Sequence, residues 1–434
     1  MPIVDDLADE QGLTRRRRSR SRRDADREGR VDLQLYLARS WVSTIGTKMV
    51  QVALPFAVLA AGGGAEDVGL VLGAALIPKI VLVVFGGVTS DRVSRRTVLL
   101  TTDLVMFACQ AATAVLLLTH SAHTWTLLLL QSLYGCVNAF ALPAANGAVQ
   151  DIVAGPGRQR ANSLIRLGNN VGGVAGPSLA GILVAASSPG WAFALDAATF
   201  LAAAACMLRI SAGRRPVPTG AKVWGDLSEG WRALTGTTWI WAMVASFAVY
   251  QATVRPAIYV LGPVLAHNGI GVGGWAAVLV ARSVGAILAG FTLMRWKPPS
   301  PLVTASLMLV LDTVFLVALA DHASLPVLLV GSALSSIGAS GADTLWETEL
   351  QEKVPHTLIS RVSSYDWLGS LIFSPLGYIL VGGFADGGRA APTLVVIAVI
   401  NLVVHLALPL LPSIRRPVAP PDPGEAARAV VATG

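Results

Sequence analysis

The sequence predicts an all-α membrane protein: twelve transmembrane helices in two six-helix bundles related by a parallel repeat, with both termini cytoplasmic. Three observations lead there. Hydrophobic residues make up 53% of the 434 residues and charged residues only 14%, against roughly 25% charged in a soluble chain. The apolar residues gather in stretches of about 20, the length that crosses the hydrocarbon core of a bilayer. The chain also matches itself at an offset near 200 residues.

The apolar stretches lie near 33–60, 67–87, 98–118, 125–149, 162–186, 191–210, 239–265, 274–294, 302–320, 326–350, 362–384 and 392–411. Prolines fall inside several of them (Pro55, Pro78, Pro143, Pro177, Pro256, Pro375). Membrane helices tolerate proline where neighbouring groups satisfy the freed carbonyls. Runs this dense exclude the strands of an outer-membrane barrel, which alternate in polarity over about ten residues. Cys109, Cys136 and Cys206 are far apart in apolar stretches and read as small packing residues. No phosphate-binding P-loop, no GxSxG and no metal-ligand spacing is present, so no enzyme, cofactor or metal is expected.

Lys and Arg set the orientation, because they accumulate on the cytoplasmic side. With the N-terminus inside, the inner segments hold nine arginines in residues 1–31, then Arg92, Arg95, Arg96, Arg158, Arg160, Arg214, Arg215, Arg232, Arg295, Lys297, Lys353, Arg361, Arg415 and Arg416. The outer loops hold Arg389. The net charge of +7 is therefore placed for topology. The segment TRRRRSRSRR (14–23) reads as a disordered juxtamembrane tail against anionic lipid, not as a nucleic-acid patch. The organisation expected is a basic tail (1–31), a first bundle (32–210), a cytoplasmic linker (211–238), a second bundle (239–412) and a C-terminal tail (413–434). In the linker, Trp224, Leu227, Trp231 and Leu234 recur at helical spacing, as in an amphipathic helix lying on the membrane face.

The repeat is most legible at an offset of 201 residues. Gln150, Asp151, Val153, Arg160, Ser163, Leu167 and Gly168 fall on Gln351, Glu352, Val354, Arg361, Ser364, Leu368 and Gly369. An offset of 200 sets Trp41 on Trp241 and Gln51 on Gln251. Parallel halves of this kind suit a transporter with its site at their interface, near the bilayer midplane.

The loop after the second span reads Gly87-Val-Thr-Ser-Asp91-Arg92-Val-Ser-Arg95-Arg96. Gly87 allows a tight helix exit. Asp91 suits a helix N-terminus or an arginine, and the arginines suit carboxylates at neighbouring helix ends, Asp151 being one. This GxxxDRxxRR pattern resembles the signature loop of the major facilitator superfamily. The fifth span carries Gly168, Gly172, Gly176-Pro177 and Gly181, a small-xxx-small stripe. It is similar to the motif of the superfamily's exporters, where it forms a seam between the halves. SSPGWAFALDAATF (187–200), LWETELQEKV (345–354) and SRVSSYDWLGSLIFSPLGYILVGG (360–383) look like the enterobactin-exporter and macrolide-efflux branch. The resemblance covers roughly 35–412. It implies a gating latch that holds the halves together inside, alternating access, and proton-driven export. The fourth span departs from the exporter pattern, with Gln131 in LLQSLYGCVNAF and no arginine.

Ionisable groups at membrane depth are costly and mark function by default. The resemblance implies that spans one, four, seven and ten line a cavity. That selects Lys48, Gln51, Tyr250, Gln251, Arg255 and Trp346 as candidate cavity residues, and Arg282 joins them by its depth near the middle of the eighth span. Asp103, Asp343, Glu347 and Lys48 are the candidate coupling groups, while Asp196 and Asp312 are expected in structural pairs. The function expected is export of an amphipathic small molecule by proton antiport, from a monomer in the cell's inner (plasma) membrane. A nutrient importer of the same fold and a non-transporting membrane sensor are the alternatives.

Overall fold

The computed structural model describes residues 3–153, 157–210, 235–355, 362–363, 366, 369 and 372–417, with side chains from Gly29 onward except Val84, Gly87, Val88, Ser90, Asp91, Asn146, Gln150 and Gln159. Among the described residues every regular element is a helix. In chain order these are α1 (Ile3–Ala60), α2 (Ala65–Arg92), α3 (Arg95–Leu118), α4 (Thr124–Ile152), α5 (Gly157–Ala186), α6 (Pro189–Arg209) and α7 (Thr238–Ala252). Three short turns prolong α7: Val254–Pro256, a π-helical stretch Ala257–Leu261, and Gly262–His267. Then come α8 (Gly271–Arg295), α9 (Pro301–Leu309 and Leu311–Ala320), α10 (Leu325–Lys353), α11 (Ser374–Ala385) and α12 (Ala390–Ala407). Most of the expected linker, 211–234, and the tail 418–434 lie outside the described residues.

Local chemistry sets several boundaries. Ser94 caps α3 by accepting a hydrogen bond from the Thr97 amide, and Ser188 caps α6 through the Gly190 amide. Gly62, at φ +86°, turns the chain between α1 and α2.

Two sequence expectations are corrected at this level. α1 runs back to Ile3, through the basic tail expected to be disordered. Arginine, which supplies nine of residues 1–31, is a favourable helix former. The second correction concerns α2. It continues past Gly87 to Arg92, so Gly87 is not a helix exit. The close approach is made one residue earlier, where a Cβ on Gly86 would meet the Ala139 carbonyl of α4.

Among the described residues eight helices are long and apolar enough to cross a membrane. α2, α5, α7 and α11 fall outside that set for visible reasons. The part of α2 described without a break, up to Val83, carries Glu66, Asp67 and Lys79, and the apolar part of α5 is diluted by Asn169, Asn170 and its glycines. α7 is interrupted at Thr253, and α11 is described only from Ser374. Large apolar side chains such as Val81, Phe85, Trp125, Ile182, Met294 and Phe384 point outward and are more than half exposed. In water that would be a liability; against lipid it is the expected surface.

Within the first half, α1 packs on α5 and α6, α2 on α4, and α3 on α4 and α6. In the second half, α8 and both parts of α9 pack on α10. The halves meet where α2 packs on α11 and α5 on α8. Here helices approach backbone to backbone. A Cβ on Gly69 would strike the Tyr378 carbonyl, one on Gly382 would stand 2.6 Å from the Ala65 carbonyl, and one on Gly181 would strike the Ala276 methyl. These contacts draw α2 to α11 and α5 to α8 near the end carrying loops 61–64, 268–270 and 386–389.

A polar cavity between the two halves

α1 and α5 from the first half and α7–α10 from the second enclose a cavity of about 220 Å³. Its polar lining comes from Lys48, Gln51, Tyr250, Arg255, Tyr259, Arg282, Ser283, Ser336, Ser340 and Asp343. The apolar part includes Val52, Pro177, Phe247, Leu279 and Leu309. The Ser283 hydroxyl donates to the Gly173 carbonyl and ties α8 to α5 at the cavity wall.

Lys48, Gln51, Tyr250, Arg255 and Arg282, all expected in the cavity, line it, as does the coupling candidate Asp343. Gln251 stands behind Arg255 and accepts a 3.0 Å hydrogen bond from its Nη1. Trp346 is placed elsewhere. It is 3% exposed, packs against Trp239 and Phe247, and donates from Nε1 to Asp366 at 3.0 Å. Its position on α10 turns it toward α7 rather than toward the cavity. Glu347 is exposed and does not line the cavity.

Behind the wall, a buried network joins four helices. The Arg282 guanidinium donates to the Ser335 hydroxyl at 2.6 Å, and Ser335 donates to Asp312 Oδ1. Tyr250 donates to Asp312 Oδ2 at 3.1 Å, and Arg282 stands 3.8 Å from the same carboxylate. Asp312 is thus held by α7, α8 and α10, a structural pair as the sequence predicts, but one that reaches the cavity through Arg282 and Tyr250. The His405 ring of α12 packs edge-on against Tyr250.

Asp103 sits apart from this cavity. Arg39 grips it bidentately, at 2.6 and 2.8 Å, with both residues buried. The pair lines a second polar cavity of about 340 Å³ inside the first half, with Thr44, Thr47, Tyr134, Asn138, Asn162 and Asn169. Asp196 is fully buried nearby and accepts from Gln110 at 2.6 Å and from Thr199. The sequence reading missed both Arg39 and Tyr259. Arg39 lies near the start of the first apolar stretch with nothing in its neighbourhood to mark a partner, and Tyr259 lies beyond Pro256, where the π-helical turn shifts the helical register.

Of the signature-loop residues, the side chains of Gly87 and Asp91 lie outside those described, and Arg92 is exposed at the end of α2. Arg95 bonds the Gly147 carbonyl at 2.7 Å and Asp151 at 2.8 Å, and Arg96 bonds the Met207 and Leu208 carbonyls. These contacts tie α3 to α4 and α6, all within the first half. The Arg95–Asp151 pair therefore does not bridge the halves as a latch. The fifth-span stripe divides in a similar way. Gly168, Gly172 and Gly176 receive Trp41, Thr44 and Lys48 of α1, while Gly181 faces Ala276 of α8 across the interface.

Helices meeting around a cavity with charged walls fit a membrane transporter. The chain belongs to the Major Facilitator Superfamily, whose model matches residues 39–365. It is 27% identical over 405 residues to the multidrug efflux pump Tap of Mycolicibacterium fortuitum, covering 89% of this chain and 97% of that one. Among solved structures, it superposes on the nucleoside transporter NupG with a TM-score of 0.69 at 12% identity, covering 88% of this chain and 99% of the other. A peptide transporter of the POT type, solved with alafosfalin, gives 0.71 at 13% identity, covering 88% and 95%. These two likenesses concern the fold.

Proposed function

We propose that the protein is a secondary active exporter that carries an amphipathic small molecule out of the cell by alternating access, driven by proton antiport. The observation that carries this reading is the cavity itself: part polar and charged, part apolar, built from both halves, with close glycine contacts between the halves near one end. Such a lining fits a molecule with a charged head and an apolar body. The outward direction rests on the glycine stripe ending in Gly176-Pro177 and on the likeness to the efflux pump Tap. The arginine distribution supports cytoplasmic termini in the plasma membrane, so the end with these glycine contacts faces outward. Twelve spans, six in 32–210 and six in 239–412, complete the reading, with a cytoplasmic linker at 211–238 and a monomer as the working unit.

For coupling, Asp343 is the favoured carboxylate, because it alone of Asp103, Asp343 and Glu347 lines the central cavity. The test uses inside-out vesicles under an imposed pH gradient and a panel of amphipathic compounds. Uptake that collapses with the gradient supports export by antiport. Asp343→Asn should abolish gradient-driven uptake and preserve downhill exchange. Uptake only in right-side-out vesicles would replace the exporter with an importer.

A further inference from the structure

The charges around the central cavity do not cancel. Lys48, Arg255 and Arg282 line it, and all three stand within electrostatic reach of the Tyr259 phenol. Beyond the lining, Lys79 of α2 stands within electrostatic reach of Lys48, and Glu347 and Asp366 within reach of Asp343, so the excess of cations belongs to the lining itself. Against these cations the cavity offers one carboxylate, Asp343. The Arg282 charge is answered behind the wall by Asp312. Arg255 is bonded to the neutral amide of Gln251. Among the described residues Lys48 makes no ion pair. Setting Asp343 against Arg255 leaves Lys48 without a carboxylate in the lining. A cation at membrane depth without a counter-charge is costly. Proteins keep such a charge where a ligand supplies the missing one.

Resting on the transporter reading of this cavity, we infer that the cargo is an amphipathic anion whose carboxylate, sulfonate or phosphate head sits between Lys48 and Arg255. The Tyr259 hydroxyl lies in the same part of the wall and can donate to that head. The cavity's volume of about 220 Å³ is below the roughly 300–1,000 Å³ of sites that enclose a whole drug-sized ligand. It therefore takes the head group, while the apolar body lies along Val52, Phe247, Leu279 and Leu309. A lipophilic cation of the same shape meets like charges at this position, which is unfavourable.

Three probes with one fluorophore and different heads test this: dansyl-taurine (sulfonate), dansylamide (neutral) and dansylcadaverine (ammonium). Binding to the purified full chain in phosphatidylcholine nanodiscs is read by fluorescence anisotropy. The expected order of affinity is sulfonate, then neutral, then ammonium. Lys48→Gln and Arg255→Gln should each weaken the sulfonate by roughly tenfold, the loss of one charge-assisted contact. Asp343→Asn should tighten the sulfonate several-fold, a gain that misfolding cannot imitate. Failure of the sulfonate to bind, tighter binding of the ammonium, or indifference of the sulfonate to all three substitutions overturns the inference. The measurement does not depend on transport direction. A protein that binds the sulfonate and moves it inward loses the exporter reading and keeps this one.

Discussion

Breaking the Arg39–Asp103 pair is the sharpest test of how the first half is held together. The pair is bidentate, and its side chains are 8% and 1% exposed. Removing one partner of a dry buried pair costs about 3–5 kcal/mol, mostly because the other charge is left uncompensated. This pair borders a polar cavity of about 340 Å³, and a water needs only about 30 Å³. Water can partly solvate the orphan, which points to the low end, about 3 kcal/mol. The two single substitutions should differ. A carboxyl group can be neutralised by a proton, whereas a guanidinium keeps its charge. Asp103→Asn should therefore destabilise more than Arg39→Met. At about 2 cal/mol/K of unfolding entropy per residue, a loss of 3 kcal/mol over this chain lowers the melting temperature by about 3 °C. The assay is thermal unfolding of purified protein in one detergent, followed by tryptophan fluorescence. The double variant Arg39→Met/Asp103→Leu should recover most of the loss, since an apolar pair leaves no charge behind. Unchanged melting of Asp103→Asn, or a double variant worse than either single one, would refute the argument.

Other perturbations probe the interface, the loop and the topology. Gly69→Val places a branched side chain against the Tyr378 carbonyl, so it should push α2 and α11 apart. Spin labels on Gly64→Cys and Asp386→Cys should then report a longer mean distance than in the parent, and an unchanged distance would contradict the packing. Asp91→Asn and Arg92→Ala should leave expression and membrane insertion intact while reducing transport severalfold, because the loop sits at helix ends and not in the core; full activity in both variants would count against a gating role. In a background lacking Cys109, Cys136 and Cys206, Asn268→Cys should react with an impermeant maleimide added to whole cells and Arg20→Cys should not. The reverse pattern would invert the topology.

Much of the architecture could be read from the sequence, because lipid imposes a simple rule. A helix that crosses hydrocarbon needs about 20 predominantly apolar residues, so α8, α9 and α12 stand out by hydropathy alone. Depth along a span is also legible, which is why Lys48, Arg255 and Arg282 could be placed at the cavity. Rotation about the helix axis is harder to read. Trp346 and Asp343 are three residues apart on α10, yet the first packs against α7 and the second lines the cavity. Hydropathy gives no signal that separates them. Long-range pairing is hidden as well. Arg39 and Asp103 lie 64 residues apart, and neither sequence neighbourhood points to the other. Gly87 misled for a different reason. A glycine near a predicted helix end suggests termination, whereas the α2 backbone continues and its neighbour Gly86 admits α4.

The seam between the halves has a consequence for how the molecule switches. At α2–α11 and α5–α8 the contact is made by glycines against carbonyls and methyl groups, while the described ion pairs Arg39–Asp103, Arg95–Asp151 and Arg282–Asp312 each stay within one half. A joint of this kind works like two machined faces rather than a bolt. It holds mainly by close dispersion contact, which weakens steeply as a gap opens, and the one described polar bond across it that has to break is the Ser283 hydroxyl on the Gly173 carbonyl. Opening is then governed by fit, so a wedge of a single methyl group can prop it ajar, while salt and pH reach it only through the charges that line the chamber behind it.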